Sequence, residues 1–261
     1  MSATATTPAA ARVSAGRPGI PFSRLMRVEL RKLFDTRAAR VLVILMVLGV
    51  VAVNVIKVIV DYGDPQRYEA FLSLSYIPLG FLLPVIAIMT ATSEWTQRTA
   101  LNTFMWEPRR GRVLWAKFLS TIIVAVLGYV AVAASSALAM GFAGITGSEL
   151  DWNVRGAIVS GALIMMIAYC AQGMAFGMAI HNTAGALVLF FILPTVMSLL
   201  TVLIPFLGDI REWIDFATSA VPIGNGEFGG DAVAHFVSSA ALWILLPAIL
   251  GVWRTLNKEA K

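Results

Sequence analysis

Charge is scarce in this sequence. Asp, Glu, Lys and Arg make up 13% of its 261 residues, where a soluble domain carries about a quarter. Its one cysteine, Cys170, lies in an apolar run, which excludes a disulfide and a cysteine-rich metal site. The two histidines, His181 and His235, fall at opposite ends of the expected spans, too far apart to share a metal. In the cores of those spans we find no Asp, Glu or Arg, and only Lys57, which lies close enough to an end to snorkel. A carrier driven by protons or sodium needs a titratable group inside the membrane. An intramembrane hydrolase needs acids, metal ligands or an activated nucleophile. No Gly-x-x-x-x-Gly-Lys-Ser/Thr phosphate loop occurs either. The chain thus offers neither catalytic groups nor an energy source of its own.

Apolar sequence is what it has in excess: 58% of the residues, with a mean hydropathy of +0.80. Several runs exceed the ~18 to 20 residues that cross a bilayer. The expected fold is an all-α integral membrane protein with six transmembrane helices, near Val41–Val60, Leu72–Thr92, Val113–Phe142, Val154–Ile180, Ala186–Leu207 and Ala232–Trp253. Residues 1–20, rich in Ala, Thr, Ser and Pro and without an apolar core, read as a disordered cytoplasmic tail and not as a signal peptide. Residues 21–261 form the membrane domain. Over 21–38, Phe22, Leu25, Met26, Leu30, Leu33 and Phe34 recur at helical spacing, with Arg24, Arg27, Arg31 and Lys32 on the other face. That pattern predicts an amphipathic elbow helix in the headgroup layer. In the region 208–231, Ile210, Trp213, Ile214 and Ala217 beside Asp209, Arg211, Glu212 and Asp215 predict a short amphipathic helix before a Gly-rich turn.

The net charge of +5 invites a nucleic-acid partner, but the basic residues flank spans, so topology explains them and no nucleic acid is expected. With both termini cytoplasmic, sixteen of the twenty Lys and Arg fall inside: eight before the first span, five around the loop between spans two and three, three after the last. Lys57, Arg67, Arg155 and Arg211 are left outside, together with ten of the fifteen acids. Positive residues on the cytoplasmic side is the rule.

The loop between spans two and three, residues 93–112, is a polar and basic island between long apolar runs. Glu94 lies four residues before Arg98, a spacing that supports a helix, with Ser93 as its cap. Leu101, Phe104 and Met105 give that surface helix an apolar edge, and Glu107-Pro108 reads as the start of the next helix.

The order Glu94, Arg98-Thr99, Leu101, Phe104, Pro108-Arg109-Arg110-Gly111-Arg112-Val113-Leu114, Lys117 resembles the cytoplasmic loop of ABC-2 type permeases, the membrane-spanning subunits of ATP-binding-cassette exporters. It looks like the form common in actinobacterial members. Where many members have Gly-Thr, this chain has Arg98-Thr99, a departure at a presumed backbone hinge. The resemblance implies a coupling helix between spans two and three, with Glu94, Arg98, Thr99, Leu101, Phe104, Pro108, Arg109 and Arg110 as its contact residues. It also implies an ABC ATPase subunit as a separate polypeptide that binds ATP and Mg, a second permease subunit in a homo- or heterodimer, and residence as a multi-pass protein of the cell membrane. On that reading the chain is a transport subunit and not an enzyme, with hydrophobic or amphipathic cargo such as a drug or lipid. A non-transporting sensor or scaffold that docks the same kind of ATPase is the alternative.

In that family the dimer cavity is lined mainly by spans two and five. Here these carry prolines (Pro78, Pro84; Pro194, Pro205) and a few hydroxyls. Tyr76 and Thr90 on span two, and Thr195, Met197, Ser198 and Thr201 on span five, are therefore the candidates for the path. Those hydroxyls either orient cargo or bond back to their own helix. Gly173 and Gly177 on span four have the spacing of small-residue helix packing.

Overall fold

A computed structural model describes residues 20–257, the side chain of Phe104 excepted. The expected tail up to residue 19, together with Lys258 and Lys261, lies outside the described residues. Helix α1 (Phe22–Asp35) is separated from α2 (Arg37–Val60) by Thr36 alone. Thr36 is extended, and its Oγ1 accepts a hydrogen bond from Ala39 N at 3.1 Å. One residue thus ends α1, caps α2 and turns the chain. A two-residue strand β1 (Gln66–Arg67) leads into α3 (Tyr68–Thr96). Then come the short α4 (Ala100–Trp106), α5 (Arg110–Ile145) and β2 (Leu150–Asp151), which pairs with β1 in parallel. α6 (Gly156–Ile180) and α7 (Thr183–Leu203) follow, the latter capped by Asn182. Three short helices, α8 (Pro205–Asp209), α9 (Arg211–Ile214) and α10 (Phe216–Gly224), precede α11 (Ala232–Ala240). α11 continues through a π-helical turn, Ala241–Leu245, into α12 (Leu246–Asn257).

Six of these helical stretches are long and apolar enough to cross a membrane, which is compatible with a multi-pass membrane protein. Their bounds lie within a few residues of the expected spans, with the helices of α3 and α5 running further toward the island than expected. At 36 residues, α5 is about 54 Å long, well beyond a ~30 Å hydrocarbon core.

The centre of the bundle is α6 against α3. In the most apolar window of α6, 61% of the residues are buried, and 50% in that of α3, against 17% for α2, α7 and the last span. Gly173 and Gly177 explain the closeness. A Cβ on Gly173 would stand 2.7 Å from the Pro84 carbonyl oxygen, and one on Gly177 would stand 2.7 Å from Ala91 Cβ. Two helices reach that separation only where side chains are missing. Midway along, Asn54 ties three helices: its Nδ2 donates to Ser135 Oγ at 3.2 Å and its Oδ1 accepts from Ser75 Oγ at 3.0 Å.

One expectation is corrected. The single amphipathic helix in 208–231 is instead three short helices. Asp215 is the reason: its Oδ1 accepts from Ala217 N at 3.1 Å and its Oδ2 from Thr218 Oγ1 at 2.8 Å, so a new helix starts there and cuts the expected stripe after Ile214. The residues α10 buries are Phe216, Ser219, Ala220 and Ile223, and it lies so close to α6 that any side chain at Gly161 would overlap the Ile223 carbonyl. The last span carries an irregular turn. Pro247 cannot donate to the carbonyl four residues back, and the helix widens into a π turn just ahead of it. There Trp243 Nε1 donates to Ile214 O at 2.6 Å, tying the span to α9.

Candidate functional site

The island is built differently from its sequence reading. Ser93 does not start a new helix; α3 continues through Ser93 and Glu94 to Thr96. It ends in a turn in which Thr99 N donates to Glu94 O at 2.9 Å and Arg98 N to Trp95 O at 3.4 Å. These are the two bonds of a Schellman stop, whose penultimate position wants a left-handed backbone. Arg98 supplies it, with φ of 55°. The position where the resembling sequences carry glycine therefore has a glycine-like conformation with an arginine in it. Glu94 and Arg98, expected to support one helix as a pair, are separated by this turn.

Glu94 points inward, and it is 4% exposed. Its Oε1 lies 2.8 Å from Lys117 Nζ and 3.2 Å from Lys32 Nζ. The same two lysines hold Glu29 of α1: Lys117 Nζ to Oε2 at 3.0 Å, Lys32 Nζ to Oε1 at 2.7 Å. Two acids and two bases thus close a ring with no net charge, joining α1, the end of α3 and the start of α5. Lys117 also donates to Thr90 O at 2.9 Å and Ser93 Oγ at 3.3 Å. Of the four, only Lys32 reaches solvent, with 41% of its side chain exposed. Buried charges persist only where opposite charge and hydrogen bonds replace water, and this ring meets that requirement. Glu94 lies in the last turn of α3 and Lys117 near the start of α5, buried at the ends of those helices and not in the span cores where Lys57 was the one expected charge. A cleft of about 100 Å³ opens beside the ring, lined by Glu29, Lys32, Thr90 and Ser93 among others.

From this anchored end the chain offers α4. Leu101 is 49% exposed, Met105 72% and Trp106 77%, a small apolar face with no cover among the described residues. The side chain of Phe104 lies outside the described residues. Arg98, Pro108 and Arg109 are exposed and Thr99 is half-buried. Arg110 turns inward, its guanidinium donating to Thr255 O at 2.8 Å and Leu256 O at 3.3 Å, where the negative end of α12 favours a cation. Arg112 pairs with the buried Glu107 at 2.8 Å. The loop before α7 is fastened to the same end: His181, left-handed at φ 56°, bonds Thr255 Oγ1 through Nε2 at 2.9 Å and packs on Trp95.

The six expected path residues are not gathered in one place. Thr90 belongs to the ring, and its hydroxyl donates to Ile86 O at 2.8 Å. Thr195 donates to Phe191 O at 2.9 Å and Thr201 to Ser198 O at 2.8 Å. Those hydroxyls satisfy their own helices. Ser198 Oγ accepts from Arg211 at 3.3 Å, and Met197 packs into the apolar cluster around Phe190 and Phe216. Tyr76 alone lines a large cavity of about 560 Å³, walled by α3, α6, α7 and α10 at the far end from α4.

Sequence reasoning missed Glu29 and Gln172. Glu29 had a signal: it fills the gap between Leu25 and Leu33 on the apolar stripe, where a carboxylate has no reason to be unless a cation meets it. Gln172, 1% exposed in the middle of α6, was passed over because attention went to charges and not to amides. No family model and no curated protein matches this sequence.

Proposed function

We propose that this chain is the permease subunit of an ABC-2 type exporter. It sits in the cell membrane with both termini cytoplasmic, pairs with a second permease subunit, and is driven by a separate ATPase polypeptide that binds ATP and Mg. α4 docks on that ATPase. Closure of the ATPase pair pushes on α4, and the turn at Arg98 passes the displacement to Glu94, the ring and the spans. The observation that carries this reading is the pairing of an exposed apolar helix with a buried ion ring directly behind it: a contact surface on a stiff mount. On this reading the contact residues divide into two groups. Leu101, Met105, Trp106, Arg98 and Arg109 face outward, whereas Glu94 and Arg110 hold the mount.

The test is co-purification of the chain with a phosphate-loop ATPase encoded beside it. Leu101→Ser with Met105→Ser should release the ATPase and leave the permease folded. Retention of the ATPase and of transport in that double variant would remove the docking role. Orientation is tested in a Cys170→Ala background: cysteines at Gly63 and Gly229 should react with an impermeant reagent outside intact cells, and cysteine at Thr99 should not.

A further inference from the structure

We propose that the cavity between α3, α6, α7 and α10 binds a neutral, largely apolar molecule that carries one hydrogen-bond acceptor, such as a ketone or ester carbonyl. Its volume of about 560 Å³ falls in the range of sites for drug-sized ligands. No Asp, Glu, Lys, Arg or His lines it, so a charged group would lose its hydration and gain no partner. Aromatic rings and two methionines, Met165 and Met166, make up much of the wall, a lining that adapts to the shape of a guest.

The wall also holds a polar group that nothing in the fold explains. Gln172 Nε2 is buried and without a hydrogen-bond partner among the described residues, and its side chain lines the cavity. Tyr76 lines it too, but its ring stacks on Tyr129 at 5.1 Å and its hydroxyl donates toward the Tyr129 hydroxyl. Buried donors are nearly always satisfied, and exceptions mark a place where a partner arrives. The amide nitrogen is a donor, so the missing partner is an acceptor. The nitrogen lies just beneath the wall, and an entering carbonyl meets it on rotation of the side chain. A second copy of the chain would cover the rim at Ile77 and Phe81 but bring no acceptor, because the carbonyls of an apolar span are already bonded within it.

Calling this guest cargo rests on the exporter reading; the binding itself does not. The probe is a neutral naphthyl ketone carrying a diazirine, alongside its counterpart with CH₂ in place of C=O, applied to the full chain alone in phosphatidylcholine nanodiscs. The ketone should photolabel α3, α6, α7 and α10. Gln172→Met should weaken it about five- to tenfold, one net hydrogen bond, and leave the CH₂ probe unchanged. Thermal stability of the variant should stay level or rise, since it loses a donor that had no partner. If ether-linked lipid in place of ester-linked lipid tightens the ketone, the native guest is lipid; if the affinity stays the same, the guest is a free molecule, and both results support the site.

Equal affinity of the two probes, or a fall in thermal stability of Gln172→Met without loss of ketone binding, would overturn the proposal. So would a Phe81→Cys disulfide between two copies that forms readily and excludes both probes. None of these readouts involves the ATPase, so failure here and failure of docking are separable.

Discussion

The two ends of the bundle treat their polar groups in opposite ways. At the α4 end, Glu29, Lys32, Glu94 and Lys117 satisfy one another, and Arg110, Arg112 and His181 each have partners within the chain. At the far end, Gln172 beside an apolar cavity has a donor left over among the described residues. A closed network resists change in its surroundings and transmits displacement. An open one waits for something to complete it. On the proposed reading, hydrogen-bond accounting distinguishes a mechanical end from a recognising end.

The sharpest way to break the contrast is to open the ring. Lys117→Met leaves Glu29 and Glu94 to share Lys32 alone and should cost about 3 kcal/mol or more, seen as loss of folded protein in detergent or a large fall in Tm. The combination Glu29→Leu, Glu94→Leu and Lys117→Met should recover most of that stability, because an apolar replacement of a buried ion network is often neutral. If the triple variant is as unstable as the single one, the ring is not a self-contained unit.

Next in size is the α3–α6 contact on which both ends depend. Gly173→Val should cost about 1–3 kcal/mol, the penalty for overpacking, since its Cβ would meet the Pro84 carbonyl at 2.7 Å. Thermal unfolding measures it, and an unchanged Tm would mean that the helices separate freely.

A smaller effect should appear at the turn. Arg98→Gly should stabilise by up to about 1 kcal/mol by relieving a left-handed non-glycine residue, while Arg98→Val should destabilise. The same pair tests the mount: a turn loosened by glycine should lower transport per ATP hydrolysed if Arg98 stiffens it.

The smallest change is expected at Thr195→Val. Its hydroxyl bonds its own helix and faces the exposed side of α7, so stability should shift by less than about 0.5 kcal/mol and transport should not change. Loss of transport would return this hydroxyl to the path.

The spans were legible because a run of apolar residues long enough to cross a bilayer has few other uses: Gly156–Ile180 was expected from Val154 to Ile180, and Arg37–Val60 from Val41 to Val60. Gly173 and Gly177 were legible for the same reason, since their spacing encodes a helix face. The ring was not. Glu29 and Lys117 are 88 residues apart, and periodicity within one helix carries no information about which residue of another helix will meet it. The island misled for a related reason. Glu94 and Arg98 have the spacing of a helical pair, but long-range attraction to Lys117 outweighed that local preference, and Glu94 stayed with the span behind it. The cavity depended on α10, whose start is set by a single cap at Asp215 and whose nine residues are too few to show a period of their own.

The spacing of the ring's members also bears on how the chain is made. Glu29 is synthesised long before Lys117, and until span three emerges it has no distant partner. Lys32, three residues on, is available at once, at a separation that lets the two side chains meet on the same face of α1. The local lysine therefore gives the acid a counter-charge from the start. When Lys117 follows, its ion pair draws α1 and α5 together, so the order of translation sets the order in which the ring closes.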